Sequence, residues 1–296
     1  MTTDVTRWRW MLLSPALTVY LLLALLPIAN LIAMSLHQIK WDLGQAHLTF
    51  NGLAHYTAMP ADTLLRAGTI NTLVFALFSV AAEMVLGLML ALFVSRVGRG
   101  RVVYRTIFLL PVLIPGIVIG AIWKLMYNPD FGVINQLFGV AGMNGHDWLG
   151  DGKLALASVV VVDIWHWTPF VFLLMLAAIE SLPEDVHEAA TIDGASRWQE
   201  FRFVTFPMLL PAFVVTLAFR LIVSFKVFDE VYLLTGGGPG TATEVVSFTI
   251  YRRFFTEDRM GYGSAISVTV LFVTTLLIIT GLSAARRREA HREPAP

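Results

Sequence analysis

Four residues of one apolar stretch, Asp163, His166, Trp167 and Phe170, recur at i, i+3, i+4 and i+7, the spacing that puts side chains on one face of an α-helix. A second apolar stretch carries Arg220, Ser224 and Val227 at the same period. Together they offer a carboxylate that accepts from paired hydroxyls, aromatic planes that cover C–H faces, a small hydroxyl and a guanidinium fork. This is chemistry for holding a polyhydroxylated solute. Arg220 leaves two readings open: its fork recognises an anionic group on such a solute, or it pairs with Asp163 or a neighbouring subunit and never meets solute. His166, between Trp165 and Trp167, reads more readily as a packed, hydrogen-bonded side chain than as a proton carrier. Glu83, alone in another apolar stretch, needs a partner, and an ion pair or hydrogen bond suits it better than a proton pathway.

Bond-breaking chemistry finds no support. The chain has no cysteine, which removes disulfides and thiolate metal sites, and no His-Glu-x-x-His pair or convergent nucleophile within the apolar stretches. Glycine-rich Gly236–Gly240 lacks the lysine that a phosphate-cradling Walker loop requires, so it reads as a tight turn. Zero net charge argues against a general nucleic-acid binder.

The elements that must position these residues follow from where charge is missing. With 56% hydrophobic residues, 14% charged and a mean hydropathy of +0.70, the 296-residue chain is read as dissolved in lipid. No Asp, Glu, Lys or Arg occurs between Arg9 and Lys40, Arg105 and Lys124, Arg202 and Arg220, or Arg259 and Arg286. A bilayer core takes about 20 apolar helical residues, and six spans are predicted, near 11–36, 69–95, 106–127, 154–180, 206–228 and 263–285. The third contains Pro111, Pro115, Gly116 and Gly120, breakers that neighbouring helices can accommodate. The fold class is therefore all-α integral membrane, with residues 1–296 forming one transmembrane domain. The glycine-rich stretch 131–153 is expected to be a turn-rich cap with at most one short helix.

Basic residues favour the cytoplasmic side. Placing both termini and the 96–105 and 181–205 loops there collects Arg7, Arg9, Arg96, Arg99, Arg101, Arg105, Arg197, Arg202, Arg286, Arg287, Arg288 and Arg292 on one side, the larger share of the chain's Lys and Arg. On the opposite side Lys226, Asp229 and Glu230 are expected at a solvated rim. Arg252 and Arg253 would reach for headgroups or an outer partner.

The loop between the fourth and fifth spans reads as two short helices. Ser181 with Glu184 has capping-box spacing around Pro183, Gly194 supplies a left-handed stop, and Ser196 with Gln199 repeats the capping pattern at the start of a second helix running towards Pro207. Val186, Ala189, Ala190 and Ile192 give the first helix small apolar positions among Glu184, Asp185, Glu188 and Asp193, so it can seat in a partner's groove.

Glu188-Ala189-Ala190, Asp193-Gly194-Ala195, Phe201 and Pro207 resemble the EAA motif of binding-protein-dependent ABC importer permeases. Phe50-Asn51-Gly52-Leu53 with Tyr56, Asn71-Thr72, Leu110-Pro111, Leu234-Thr235-Gly236-Gly237-Gly238-Pro239 and Gly261-Tyr262-Gly263-Ser264-Ala265 extend the resemblance over nearly the whole chain. They point to the carbohydrate-uptake branch, the maltose and glycerol-phosphate permease type, in its shorter six-span form.

The resemblance implies a type I importer permease and a non-catalytic subunit of a bacterial or archaeal cytoplasmic membrane. Both termini would be cytoplasmic. Glu188, Ala189, Ala190, Asp193 and Gly194 would form the coupling helix that docks on an ATPase. The expected partners are a homologous second permease, an ABC ATPase dimer that holds ATP and magnesium, and an extracytoplasmic solute-binding protein; this chain itself needs no cofactor. In that family the corresponding faces of the fourth and fifth spans line the solute site, which here means Asp163, His166, Trp167, Phe170, Arg220, Ser224 and Val227. Arg220 departs from the neutral lining expected for a plain disaccharide. The alternative is an ion-coupled secondary transporter of a small polar solute, which would show inverted repeats around a midplane site; no landmark recurs in a second copy.

Overall fold

In the computed structural model, residues 2–290 are described, and they are mostly helical. Arg292, part of the basic tail that argued for orientation, lies outside the described residues. Two compact units emerge: one comprises the described residues up to Asp62 with Thr249–Thr275, the other Thr63–Phe248 with the described residues from Leu276 onward.

In the first unit, helix α1 (Thr2–Ser35) is followed by the hairpin β1 (His37–Asp42) and β2 (Gln45–Phe50), then by α2 (Ala54–Ala58) and a 3-10 turn. The hairpin is a local feature that the sequence did not signal, in a chain that is otherwise helical as expected. Leu43 and Gly44 both take positive φ, 47° and 79°, the two-residue turn that matches strand twist. Helix α1 is apolar and exposed along nearly all of Met11–Ser35, as a lipid-facing column would be. Gly261 explains one sequence landmark: a Cβ there would stand 2.2 Å from the His37 carbonyl oxygen and 2.8 Å from His55 Nε2. Arg253 forks onto both carboxylate oxygens of Asp62 at 2.8 Å and also holds Glu257, while the Tyr262 hydroxyl donates to Asp62 at 3.0 Å. Burial works against the Arg253 charge, but the hydrogen bonds to Glu257 and Asp62 outweigh it and hold its pKa above the ordinary arginine value. Arg253 is therefore a structural anchor within this unit.

The second unit is organised by α3 (Thr63–Ser95) and α7 (Ala155–Glu180). Val80, Met84, Ala91 and Val94 of α3 pack with Val171, Phe172, Met175 and Leu176 of α7 as the core. The axes approach closely because Gly87 faces α7, where a Cβ would be 2.6 Å from Val171 Cγ1. On the far side of α3, Leu73, Leu77, Phe78, Val85, Met89 and Phe93 are exposed. A helix apolar on every side suits lipid as its solvent.

The expected third span is not one helix. It divides into α4 (Arg101–Leu109), a 3-10 turn at Pro111–Leu113 and α5 (Gly116–Met126). Pro115 disfavours helix at Ile114, which is extended at φ −86° and ψ 128°. Among the described residues, five helices are long and apolar enough to cross a membrane, at Met11–Ser35, Thr63–Ser95, Ala155–Glu180, Arg197–Ser224 and Met260–Gly281, with Gly116–Met126 a shorter apolar helix. The 131–153 cap holds one short helix, α6 (Val133–Val140), as expected.

After α7 come α8 (Glu184–Ile192) and α9 (Arg197–Glu200). A π turn at Phe201–Thr205 then leads into α10 (Phe206–Ser224). The chain continues through α11 (Asp229–Leu234) and α12 (Val246–Tyr251) to α13 (Met260–Ala290).

Candidate functional site

The candidate residues fall in two arrangements, one buried among the apolar helices and one exposed at the ends of α7 and α10.

The buried arrangement centres on Arg220, whose side chain is fully enclosed. Its Nε donates to Glu83 Oε2 at 2.5 Å and its Nη2 to Glu83 Oε1 at 2.7 Å, a bidentate pair; Nη2 also reaches Asp163 Oδ2 at 3.1 Å. The guanidinium carbon lies 4.6 Å from the centroid of the Trp167 ring. Helices α3, α7 and α10 each supply part of this cluster. Arg220 does pair with Asp163, and Glu83 finds in Arg220 the partner its position demanded. Arg220 Nη1 is buried and has no protein hydrogen-bond partner.

The predicted faces assemble in part. Trp167 meets Phe170 edge-on with centroids 6.0 Å apart, and Phe170 stacks on Phe219 at 4.8 Å. His166 is buried and turned to Glu230, with Nδ1 and Oε1 3.2 Å apart, which bears out a packed, hydrogen-bonded histidine. Glu230 corrects the expected solvated rim: it is buried, because α11 begins one residue earlier and turns it inward, while Asp229 stays exposed. Ser224 is buried, but its hydroxyl donates to the Leu221 carbonyl of its own helix at 2.9 Å. Val227 is buried beyond the end of α10, where its carbonyl accepts from the Ser247 hydroxyl. Asp163, His166, Trp167, Phe170 and Arg220 thus join one network of ionic and ring contacts. The Ser224 hydroxyl and the Val227 carbonyl are engaged in hydrogen bonds outside that network.

The glycine-rich turn is a tight turn. Gly236, Gly237 and Gly240 take positive φ, and a Cβ on Gly237 would stand 2.5 Å from Glu244 Oε2. Asn71 Nδ2 donates to the carbonyls of Thr241 and Glu244 at 2.9 Å, and the Thr243 hydroxyl donates to the Gly238 carbonyl at 2.7 Å. Asn71 and the Leu234–Pro239 run are therefore landmarks of one construction.

The exposed arrangement is the loop of α8 and α9. Gly194 has φ +73°, the left-handed stop that was expected. Ser196 and Gln199 complete a reciprocal capping box. The first expected box does not form: Pro183 is the N-cap of α8, and the Ser181 hydroxyl donates back to the Ala178 carbonyl at 2.8 Å. Ala190 faces inward, while Glu188, Ala189, Asp193 and Gly194 are exposed. Ile192 is 85% exposed and Trp198 66%, so the loop carries apolar side chains on its surface. His187 of α8 and Glu200 of α9 lock the two arms at 2.7 Å, a pairing that spacing alone did not signal. Beside the loop, Arg101 and Arg105 of α4 both hold Glu180 Oε1, at 2.5 and 2.6 Å.

Residues 83–289 match the family model described as binding-protein-dependent transport system inner membrane component. The trehalose/maltose transport system permease protein of Thermococcus litoralis is 36% identical over 279 residues, covering 94% of each chain. The sulfoquinovosyl glycerol transport system permease protein of Agrobacterium fabrum is 32% identical over 286 residues, covering 93% of this chain and 92% of that one. Among solved structures, a chain of the bacterial alginate ABC transporter in complex with alginate pentasaccharide-bound periplasmic protein aligns with a TM-score of 0.84 at 23% identity over 97% of both chains. The exposed loop between two long apolar helices, the broken third span and the family match over most of the chain agree: this chain belongs to the binding-protein-dependent transport system inner membrane components, the multi-pass permease subunits of ABC importers.

Proposed function

We propose that this permease forms the membrane passage of an ATP-driven importer that takes up carbohydrate delivered by an extracytoplasmic solute-binding protein. The observation that carries the reading is the placement of the α8–α9 loop. It joins α7 to α10, the two helices that hold Asp163, Trp167 and Arg220, so a push on the loop reaches the buried cluster through both helices. The trehalose/maltose permease relative supports the carbohydrate class.

The partners are a second, homologous permease, an ATPase dimer that binds ATP and magnesium, and the binding protein. Glu188, Ala189, Ala190, Asp193 and Gly194 seat in the ATPase, on the cytoplasmic side together with both termini. ATP-driven closure of the ATPase dimer displaces α8, and the rigid link from α8 through the His187–Glu200 pair to α9 turns α10 against α7. The solute face then opens outward and receives sugar; hydrolysis returns it inward. Asp163 accepts from solute hydroxyls, while Trp167 and Phe170 cover C–H faces.

Reconstitution of the chain with its partner permease, ATPase and binding protein in liposomes tests this reading. ATP-dependent accumulation of labelled maltose or trehalose is expected. Uptake that continues without the ATPase and collapses with an ionophore would establish an ion-coupled transporter instead.

A further inference from the structure

The charge around Arg220 narrows the class of carbohydrate. Resting on the assignment of the α7 and α10 faces to the solute path, we infer that this passage selects neutral polyhydroxylated solutes and discriminates against anionic sugars.

A lone guanidinium beside a solute path would attract a carboxylate, sulfonate or phosphate. Here the guanidinium is already held by two carboxylates, Glu83 bidentately at 2.5 and 2.7 Å and Asp163 at 3.1 Å, with all three side chains buried. One ionised carboxylate is enough to cancel its charge, whichever of the two carries it. Its face is covered as well, by Trp167 at 4.6 Å.

The remaining ionisable groups of the cluster add no free positive charge. His166 faces Glu230 at 3.2 Å, so α3, α7 and α11 bring three carboxylates to one guanidinium and one imidazole. An anionic solute entering this space would meet acids already in place and no cation free to neutralise it.

A neutral hydroxyl that reaches this cluster when the helices part meets a different set of groups. Arg220 Nη1 is buried without a protein hydrogen-bond partner, a donor that a hydroxyl oxygen can satisfy. The Asp163 carboxylate accepts from a hydroxyl hydrogen, so one solute hydroxyl can bridge donor and acceptor. Arg220 therefore serves as a donor held in place by its acids, and its charge is not the recognition element.

The test uses the complete complex in nanodiscs, with the binding protein omitted so that its own selectivity does not enter. Binding of maltose, trehalose and digalacturonate is measured by calorimetry, alongside ATP-dependent uptake of the same sugars by the full system in liposomes. At least one neutral disaccharide is expected to bind about tenfold or more tightly than digalacturonate, since even one unscreened like-charge contact exceeds that ratio. Asp163→Asn or Glu83→Gln alone leaves one carboxylate on the guanidinium and is expected to keep the preference for neutral sugar, whereas the double variant frees the charge and is expected to narrow the ratio; if the double variant does not fold, the wild-type ratio decides. Equal or tighter binding of digalacturonate overturns the inference while leaving carbohydrate import standing. Uptake of neutral sugar with no binding in nanodiscs places the solute path elsewhere and also overturns it. Absence of ATP-dependent uptake of every sugar removes the import reading itself.

Discussion

Arg220 and Glu83, 137 residues apart, form a bidentate ion pair with no solvent exposure on either side chain, joining α10 to α3 within the apolar helices. Removing one partner of such a pair strands a buried charge, at a cost of about 3–5 kcal/mol. Arg220→Met is therefore expected to destabilise the second unit by that amount, measured as thermal denaturation in detergent or nanodiscs. Glu83→Gln should cost less, about 1–3 kcal/mol, because Asp163 still neutralises the guanidinium and the amide oxygen keeps one acceptor. Equal losses in the two variants would mean that Asp163 contributes nothing to holding Arg220.

Gly194 tests the coupling loop through backbone conformation alone. Its φ is +73°, and a Cβ there would meet nothing within 4 Å, so any effect of substitution comes from the left-handed conformation. A β-branched residue pays about 1–2 kcal/mol or more in that region, whereas Asn tolerates it. Gly194→Val is expected to lower transport per ATP hydrolysed while the protein still inserts in the membrane, and Gly194→Asn to stay near wild type. Normal uptake by Gly194→Val would end the coupling assignment, as would normal uptake by Glu188→Lys.

His187 and Glu200 bind the two arms of the loop at 2.7 Å, with both side chains partly exposed. A pair in that setting is worth about 0.5–1 kcal/mol, too little to threaten the fold. Its loss should therefore appear in coupling and leave stability nearly intact: His187→Ala is expected to lower sugar-stimulated ATPase activity with little change in melting temperature. A large fall in melting temperature with unchanged coupling would make the pair a purely structural strut.

What the sequence disclosed follows the range of the interactions. The Gly194 stop and the Ser196–Gln199 capping box are settled within a few residues, and both stand as read. The Ser181–Glu184 spacing was equally local, but Pro183 took the cap position and Ser181 turned back to its own helix, so spacing alone misled. The hairpin escaped because its turn begins with Leu43, where the expected signal is Asn or Asp before glycine. Asp163, Trp167 and Arg220 could be nominated from helical period and charge, yet the pairing of Glu83 with Arg220 and of His166 with Glu230 depends on how separate helices meet. The charge of Arg220 was legible in the sequence, and its neutralisation was not.

The close approach of α3 to α7 makes a steric prediction. A Cβ on Gly87 would lie 2.6 Å from Val171 Cγ1, 2.7 Å from Val171 Cβ and 2.9 Å from the Phe172 backbone nitrogen. Side-chain atoms can be removed by mutation, but the backbone nitrogen cannot. Gly87→Ala is therefore expected to cost about 1–3 kcal/mol by forcing the two helices apart. Adding Val171→Ala should recover only part of that, because the Phe172 contact remains and the Val171 side chain leaves the core formed with Met84 and Ala91. The separation also moves Glu83, one turn from Gly87, away from Asp163 on α7, so Gly87→Ala should lower transport beyond what its loss of stability explains. Thermal denaturation and uptake by the two variants decide the point: full recovery in the double variant would show that only the Val171 side chain sets the distance between α3 and α7.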